Sequence, residues 1–303
     1  MKVFGGIEGG GTKFICGVGT GPRDLTFIEI PTSTPDATLR EVIAYFRGQP
    51  ALEAIGIGSF GPVDLDSKSP TYGFITSTPK PGWRNCDLAG EVGRAFSVPV
   101  GFDTDVNAAA LAEEEWGAAQ GLSDFLYVTV GTGIGAGAVV CGELLHGLTH
   151  PEMGHVLIPH DRTRDPFPGL CPYHRDCLEG LASGPSIEAR WGAKGIDLPP
   201  EHPAWDLEAH YLALGLVNWI CTLSPRRVVM GGGVMQQKHV FPAIRRELVG
   251  LLNGYIQHAA LDPSNSEFIV PATAGGQAGV LGALLLANHA AQRRSRTHRV
   301  VKS

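Results

Sequence analysis

The chain is 303 residues long, 43% hydrophobic and 18% charged, with a formal net charge of −6 at pH 7. That length suits two compact domains with a core in each, which excludes a disordered or coiled-coil protein. The acidic balance argues against nucleic acid as the main partner, which needs a basic face; phosphate stays open as a ligand, because backbone N–H groups bind it on acidic proteins too.

Val3 to Val18 reads as a strand, the turn Glu8-Gly9-Gly10-Gly11-Thr12 and a second strand from Phe14. The start, MKVFGGIEGGGTKF, lacks the apolar region of a secretory signal. A helical run near Ala37 to Phe46 follows, then a strand at Ala54 to Gly58 and a Pro/Gly-rich loop from Gly61 to Trp83. A strand near Val98 to Phe102 leads into an Ala-rich helix from about Val106 to Trp116, closed by Gly117. Phe125 to Val140 repeats the opening hairpin: strand FLYVTV, turn Gly131-Thr132-Gly133-Ile134-Gly135, strand AGAVV. Two such hairpins, each opening one half of the chain, point to an internal duplication with a cleft between closely joined lobes.

Gly142 to Gly184 is irregular and rich in His, Pro and Cys, while Ala204 to Leu223 has helical spacing. Arg227 to Met230 is a short buried strand leading into Gly231-Gly232-Gly233, and Gly275 to Ala291 is a late helix. The end, RRSRTHRVVKS, reads as a solvated basic tail. The longest apolar run, around Leu281 to Ala287, falls far short of the ~20 residues of a membrane span. Six cysteines without a secretion signal read as thiols or metal ligands. The expectation is a cytoplasmic protein with no membrane and no nucleic-acid partner.

Glycine is the outlier at 41 residues, about twice the average share. Gly9-Gly10-Gly11-Thr12 and Gly131-Thr132-Gly133 combine tight turns, close backbone approach and a threonine donor, the requirements of a phosphate loop. An ordinary hairpin turn is the alternative for either alone; matching placement in two halves favours phosphate. A Walker A loop is absent, since Lys13 follows Thr12 rather than a glycine. The GTGIGA run matches a relaxed dinucleotide fingerprint, but the β-like GAVV follows where that fingerprint requires a helix.

FDTDVNAAALAE places Asp103, Thr104 and Asp105 at a strand end before a helix. Either acid serves as an N-cap in the plainer reading. Phosphoryl transfer to a hydroxyl needs a carboxylate to take its proton, and Asp105 at a helix N-terminus fits, with Asn107 fixing the turn. His155 and the C-x-x-H-x-x-C segment Cys171, His174 and Cys177 form a Cys₂His₂ set. With every position filled by protein, such a set reads as structural zinc; buried thiols and surface histidines are the alternative. His146, His150 and His160 fit the spacing less well and read as surface or packing histidines.

Over nearly its whole length the chain resembles the ROK family (repressors, open reading frames and kinases), specifically its bacterial fructokinase branch. The motifs that carry this are GGIEGGGTKF, GSFGPVD at Gly58 to Asp64, FDTDVNAAALAE, VTVGTGIGAG, PEMGH at Pro151 to His155, CPYHRDCLEGLASGP and VVMGGGV. The resemblance implies an α/β fold of two RNase H-like (actin/hexokinase-type) lobes around an active-site cleft. Residues 1–117 plus 276–303 would form the small lobe, with the C-terminal helix returning to it. Residues 118–275 would form the larger lobe carrying the zinc segment.

The implied activity is transfer of phosphate from ATP to D-fructose, giving fructose 6-phosphate and ADP. Mannose, glucose or N-acetylmannosamine are alternative acceptors. A sugar-sensing regulator is an alternative of another class, opposed by the first glycine loop starting at residue 5; a zinc-stabilised carbohydrate-binding module is a third. Position by position, Asp105 would be the base, and Gly61, Pro62, Thr104, Glu152, His155 and Glu179 would surround the sugar. His155 would use one ring nitrogen for sugar and the other for zinc. Glu8, Gly10, Gly11, Thr12, Lys13, Thr132 and Gly133 would surround the Mg²⁺-ATP phosphates, with Gly232 and Gly233 by the adenosine.

Three departures stand out. Glu8 stands where many kinases of this fold carry aspartate. Thr104 replaces the asparagine of glucokinase-type relatives, and the zinc segment lacks their C-x-C-G-x-x-G-C pattern; both lean toward fructose. A homodimer is implied by the resemblance alone.

Overall fold

The computed structural model describes residues 2–300. They fall into two compact units. The first runs to Trp116, takes in His146–His150 and resumes at Ala274; the second comprises Gly117–Leu145 and Pro151–Thr273.

The first unit opens with the expected hairpin, β1 (Phe4–Gly9) and β2 (Lys13–Gly19), whose turn is closed by the Gly10 N–H on the Lys13 carbonyl at 3.0 Å. β3 (Thr26–Pro31), α1 (Pro35–Arg47) and β4 (Ala54–Ser59) follow. Helix α1 begins on a proline with Asp36 in its first turn, both suited to the free N–H groups there. β5 (Phe74–Ile75) and β6 (Cys86–Asp87) make a small separate sheet before α2 (Leu88–Phe96), which Asp87 caps through the Gly90 N–H. β7 (Val100–Thr104) then runs directly into α3 (Asp105–Trp116). The sheet order is β3-β2-β1-β4-β7, with β2 antiparallel to its neighbours and β1, β4 and β7 parallel.

The second unit repeats this plan. β8 (Phe125–Val130) and β9 (Ile134–Val140) form the second hairpin and β10 (Glu143–Leu144) lies beyond it. Helices α4 (Leu178–Ala182), α5 (Gly184–Trp191) and α6 (Ala204–Leu223) precede β11 (Arg227–Gly231), α7 (Val240–Leu252) and β12 (Ile269–Pro271). The order β10-β9-β8-β11-β12 matches the first sheet strand for strand, again with one antiparallel strand beside a parallel trio. Helix α6 is buried on most of its faces, as its apolar composition requires, and is central to this unit's core.

Helix α8 (Ala278–Val300) belongs to the first unit and shows where part of the glycine excess goes. Gly6, Gly56 and Gly101 are register partners on three adjacent strands. A Cβ on Gly6 would lie 2.7 Å from the Val280 carbonyl, and those on Gly56 and Gly101 would run into the Ala283 and Leu286 carbonyls. This side-chain-free row lets the α8 backbone lie directly on the sheet. Gly282, on the helix, makes the same allowance for the backbone of α3 at Ala108. These glycines serve packing and carry no phosphate.

The late helix starts three residues after the expected Gly275 and continues into the basic run, where Arg293 and Arg294 are exposed. The end of the expected solvated tail, residues 301–303, lies outside the described residues. No helix among the described residues is long and apolar enough to cross a membrane.

Candidate active site

In the first unit the chemistry gathers where β7 becomes α3. The N-cap of α3 is neither acid: Thr104 Oγ1 accepts the Asn107 N–H at 3.1 Å. Asp103 points back over the turn, its Oδ1 accepting from Thr104 N at 2.8 Å and Asn107 Nδ2 at 2.6 Å. Asn107 therefore fixes the turn, as its position suggested. Capping by Thr104 leaves Asp105 at the first helical position, where Oδ1 accepts from the adjacent Val106 N–H at 2.8 Å. Burial pushes its carboxyl up from 3.8 to about 6, opposed by the backbone N–H groups of Val106 and of Asp105 itself.

Glu8, at the end of β1, occupies the N-terminus of α8. Its Oε2 accepts from Val280 N at 3.1 Å, and a Cβ on Gly279 would collide with its carboxyl group. Burial first, and the negative charge of Asp105 second, push Glu8 up from 4.5 to about 7; the Val280 N–H opposes them. Two carboxyls raised in this way form a locus that a cation would relieve. The adjoining turn is braced from β3, with Thr32 Oγ1 donating to the Gly10 carbonyl at 2.7 Å and Thr32 N to the Thr12 carbonyl at 2.9 Å. Gly11, Thr12 and Lys13 are exposed, and Lys13 is paired with Glu29.

In the second unit the matching turn is tied down at both ends: Gly131 N donates to the Gly133 carbonyl at 2.9 Å, and Gly184 N to the Gly131 carbonyl at 2.8 Å. Thr132 is exposed at its tip. Glu179 on α4 accepts from Ile134 N at 2.9 Å through Oε2, and a Cβ on Gly133 would lie 2.6 Å from the same oxygen. Glycine at 133 is therefore needed for this carboxylate to close on the turn. Gly232 has φ of +91°, and a side chain there would strike the Val130 carbonyl, so only glycine fits.

The four expected metal ligands converge. One donor atom from each of His155, Cys171, His174 and Cys177 lies within 4.8 Å of every other. The knuckle closes through paired backbone bonds between Cys171 and Arg175, and Leu178 N donates to the Val156 carbonyl at 3.0 Å, bringing His155 to Cys177. His155 Nδ1 lies 3.7 Å from Cys171 Sγ and 3.6 Å from Cys177 Sγ, and His174 Nδ1 lies 3.6 Å from Cys171 Sγ. A tetrahedral zinc, with bonds of about 2.3 Å to sulfur and about 2.05 Å to nitrogen, sets neighbouring S and N donors about 3.6 Å apart. The donor set and its spacing fit that ion. Burial holds the Cys177 thiol well above its ordinary pKa, so thiolates here call for a cation. The other ring nitrogen of His155, Nε2, faces Glu179 Oε1 at 3.9 Å, leaving the ring shared between the cluster and the glycine turn.

The ROK family profile matches residues 4–290, nearly the whole described chain. The chain belongs to the ROK family. A protein of Bacillus subtilis (strain 168) is 52% identical over 293 residues, 96% of this chain and 97% of that one. The fructokinase of Pediococcus pentosaceus is 42% identical over 95% of this chain and 98% of its own length. The ROK glucokinase of Streptomyces griseus, solved with glucose and AMPPNP, superposes with a TM-score of 0.74 at 26% identity, covering 95% of this chain and 99% of that one. The duplicated five-stranded plan is thus the actin-like fold of ROK hexokinases.

Among the expected site residues of this ROK chain, Glu8, Thr104 and Asp105 gather in the first unit, near the braced Gly10–Thr12 turn. Gly61 and Pro62 sit on the loop after β4, where Thr76 N donates to the Pro62 carbonyl at 2.7 Å. Thr132, Gly133, His155 and Glu179 gather in the second unit; Glu152 is exposed just before the short helix that carries His155. Gly232 and Gly233 follow β11.

Two of the histidines that read as surface or packing residues have specific polar partners. His146 Nε2 lies 3.0 Å from Asp103 Oδ2, and His150, buried, accepts the Val63 N–H at 3.0 Å. No periodicity marks either of them, because their partners lie 43 and 87 residues away in the sequence.

Proposed function

We propose that this ROK chain is an ATP-dependent sugar kinase whose acceptor is D-fructose, with Asp105 as the base. The observation that carries this reading is a carboxyl at the first position of α3, released from capping by Thr104 and tuned to about 6. Such a group is ionised at neutral pH, yet basic enough to take a proton in the transition state. As the fructose oxygen bonds to the γ-phosphorus, the bond from phosphorus to the bridging oxygen of ADP breaks. The hydroxyl proton passes to Asp105 and is then released to solvent.

Backbone N–H groups of the two glycine turns, with Thr12 and Thr132, cradle the phosphates, and Gly232 and Gly233 face the adenosine. Glu8 would hold the Mg²⁺ that accompanies ATP, directly or through water, a cation that would supply positive charge against the negative charge developing on the phosphates. Glu152, His155 and Glu179 orient sugar hydroxyls. His155, Cys171, His174 and Cys177 would hold a structural zinc with no open position, a site that would orient His155 rather than take part in the chemistry. Fructose is favoured over glucose by the fructokinase relatives and by threonine at 104, whose oxygen is engaged as the α3 cap. A homodimer is part of the same reading.

A coupled assay over fructose, mannose, glucose and N-acetylmannosamine with Mg²⁺-ATP tests the proposal. Fructose is expected to give the highest kcat/KM. Turnover of another hexose in its place would move the assignment within the family, and turnover of none would overturn it.

A further inference from the structure

Segment His146–His150 packs with the first unit, although the residues flanking it on both sides belong to the second. Apolar burial does not hold it there, since Leu148 at its centre is fully exposed. What ties it down is polar and comes from its two end residues.

His146 reaches the β7–α3 turn. Asp103 is 5% exposed, and its Oδ1 is already taken by Thr104 N and Asn107 Nδ2. Its Oδ2 faces His146 Nε2 at 3.0 Å, a place that a ring N–H must fill because a carboxylate only accepts. A buried carboxylate short of partners shifts its neighbours or neutralises, and here the neighbours are the α3 cap and Asp105, two residues on. The pairing also raises the pKa of His146, through its hydrogen bond to Asp103.

His150 reaches the loop after β4. Its Nε2 accepts the buried Val63 N–H, which sets the tautomer with the proton on Nδ1. The ring lies so close to Gly61 that a Cβ there would approach it to 3.3 Å. Val63 immediately follows Gly61 and Pro62.

We propose that His146 and His150 are positioning residues that strap together the two loops on the acceptor side of the first unit, the β7–α3 turn bearing Asp105 and the loop bearing Gly61 and Pro62. The proposal rests on the sugar-kinase reading for its catalytic consequence but not for its geometry. His146 acts through Asp103, and His150 through Val63.

The test uses the full chain with His146→Ala, His146→Gln, His150→Ala and His150→Gln. Both alanine variants are expected to lose roughly 10-fold to 100-fold in kcat/KM for the hexose, with KM for ATP unchanged within about 2-fold. Glutamine places an amide donor or acceptor where the ring nitrogen was, and is expected to restore most of the loss. Amide hydrogen exchange gives a readout independent of activity. His150→Ala should speed exchange at Val63, and His146→Ala at Thr104 and Asn107, by about 10-fold or more.

Unaltered exchange at those amides overturns the strap, as does an activity loss shared equally by hexose and ATP with no rescue by glutamine. If the unaltered chain turns over no hexose, the kinase reading fails, while the exchange measurement still decides the strap.

Discussion

Asp105 and Glu8 are two carboxyls raised by the same cause to different degrees. Asp105 loses water where β7 ends and keeps the backbone N–H groups of Val106 and its own residue, which leaves it at about 6. Glu8 is raised to about 7 because the charge of Asp105 adds to its own burial. The sign for catalysis follows from the role: a base works only when deprotonated. With Mg²⁺-ATP saturating, kcat should hold steady above pH 7 and fall about tenfold per unit below an acid limb near 6. The limb should move to lower pH if burial is relieved. Asp105→Ala should cut kcat by at least ~10², measured in the same coupled assay; near-normal turnover would mean that another group takes the proton.

At the scale of elements, the strand–helix contact around α8 is set by absent side chains. Gly56 sits at the middle of the glycine row, under the Ala283 carbonyl, with no flexible group able to yield. Gly56→Ala should lower stability by at least about 2 kcal/mol, as overpacking against a fixed backbone does, read as a lower denaturant midpoint with an unchanged m-value. In the second unit, the stretch from Leu157 to Cys177 has little regular structure and few buried apolar side chains; polar contacts, such as Tyr211 donating to the buried Asp165 at 2.7 Å, and the Cys₂His₂ cluster tie it down. Protein prepared without chelator should carry about one zinc per chain. Removing it, or substituting Cys177→Ser, should lower Tm and raise KM for the hexose more than for ATP, because His155 loses its orientation. Absence of metal with intact activity would remove the zinc assignment.

For the whole molecule, a ligand that binds only the folded state adds about 2.7 kcal/mol at a hundredfold excess over its Kd. Fructose at that excess should therefore raise Tm, and a sugar that is not an acceptor should leave it unchanged. Thermal melts across the same sugar panel read this without turnover.

Several elements were legible from local pattern. The two hairpins announced themselves by glycine turns between β-branched runs, and α6 spans Ala204–Leu223 as its spacing predicted. Edge strand β3 was not legible, because only Ile30 of its six residues is buried and no alternation marks it. The metal ligands were legible because three of them lie within seven residues of one another. The contact of His146 with Asp103 was not, since it joins positions 43 residues apart and no propensity or period connects them.

The glycine loops show the division best. The sequence by itself marked the turns at Gly9–Thr12 and Gly131–Gly133, although none of these glycines has a positive φ; what glycine supplies there is room, at Gly10 for the Lys13 carbonyl and at Gly133 for Glu179. It also determined the duplicated plan and the Cys₂His₂ set, both written in short-range spacing. Only the tertiary structure decided which glycines lie under α8, which residue caps α3, and that His146 reaches the β7–α3 turn and His150 the loop after β4. Those outcomes depend on what approaches from elsewhere in the chain, and burial, the cause of both raised carboxyls, exists only once the chain has folded.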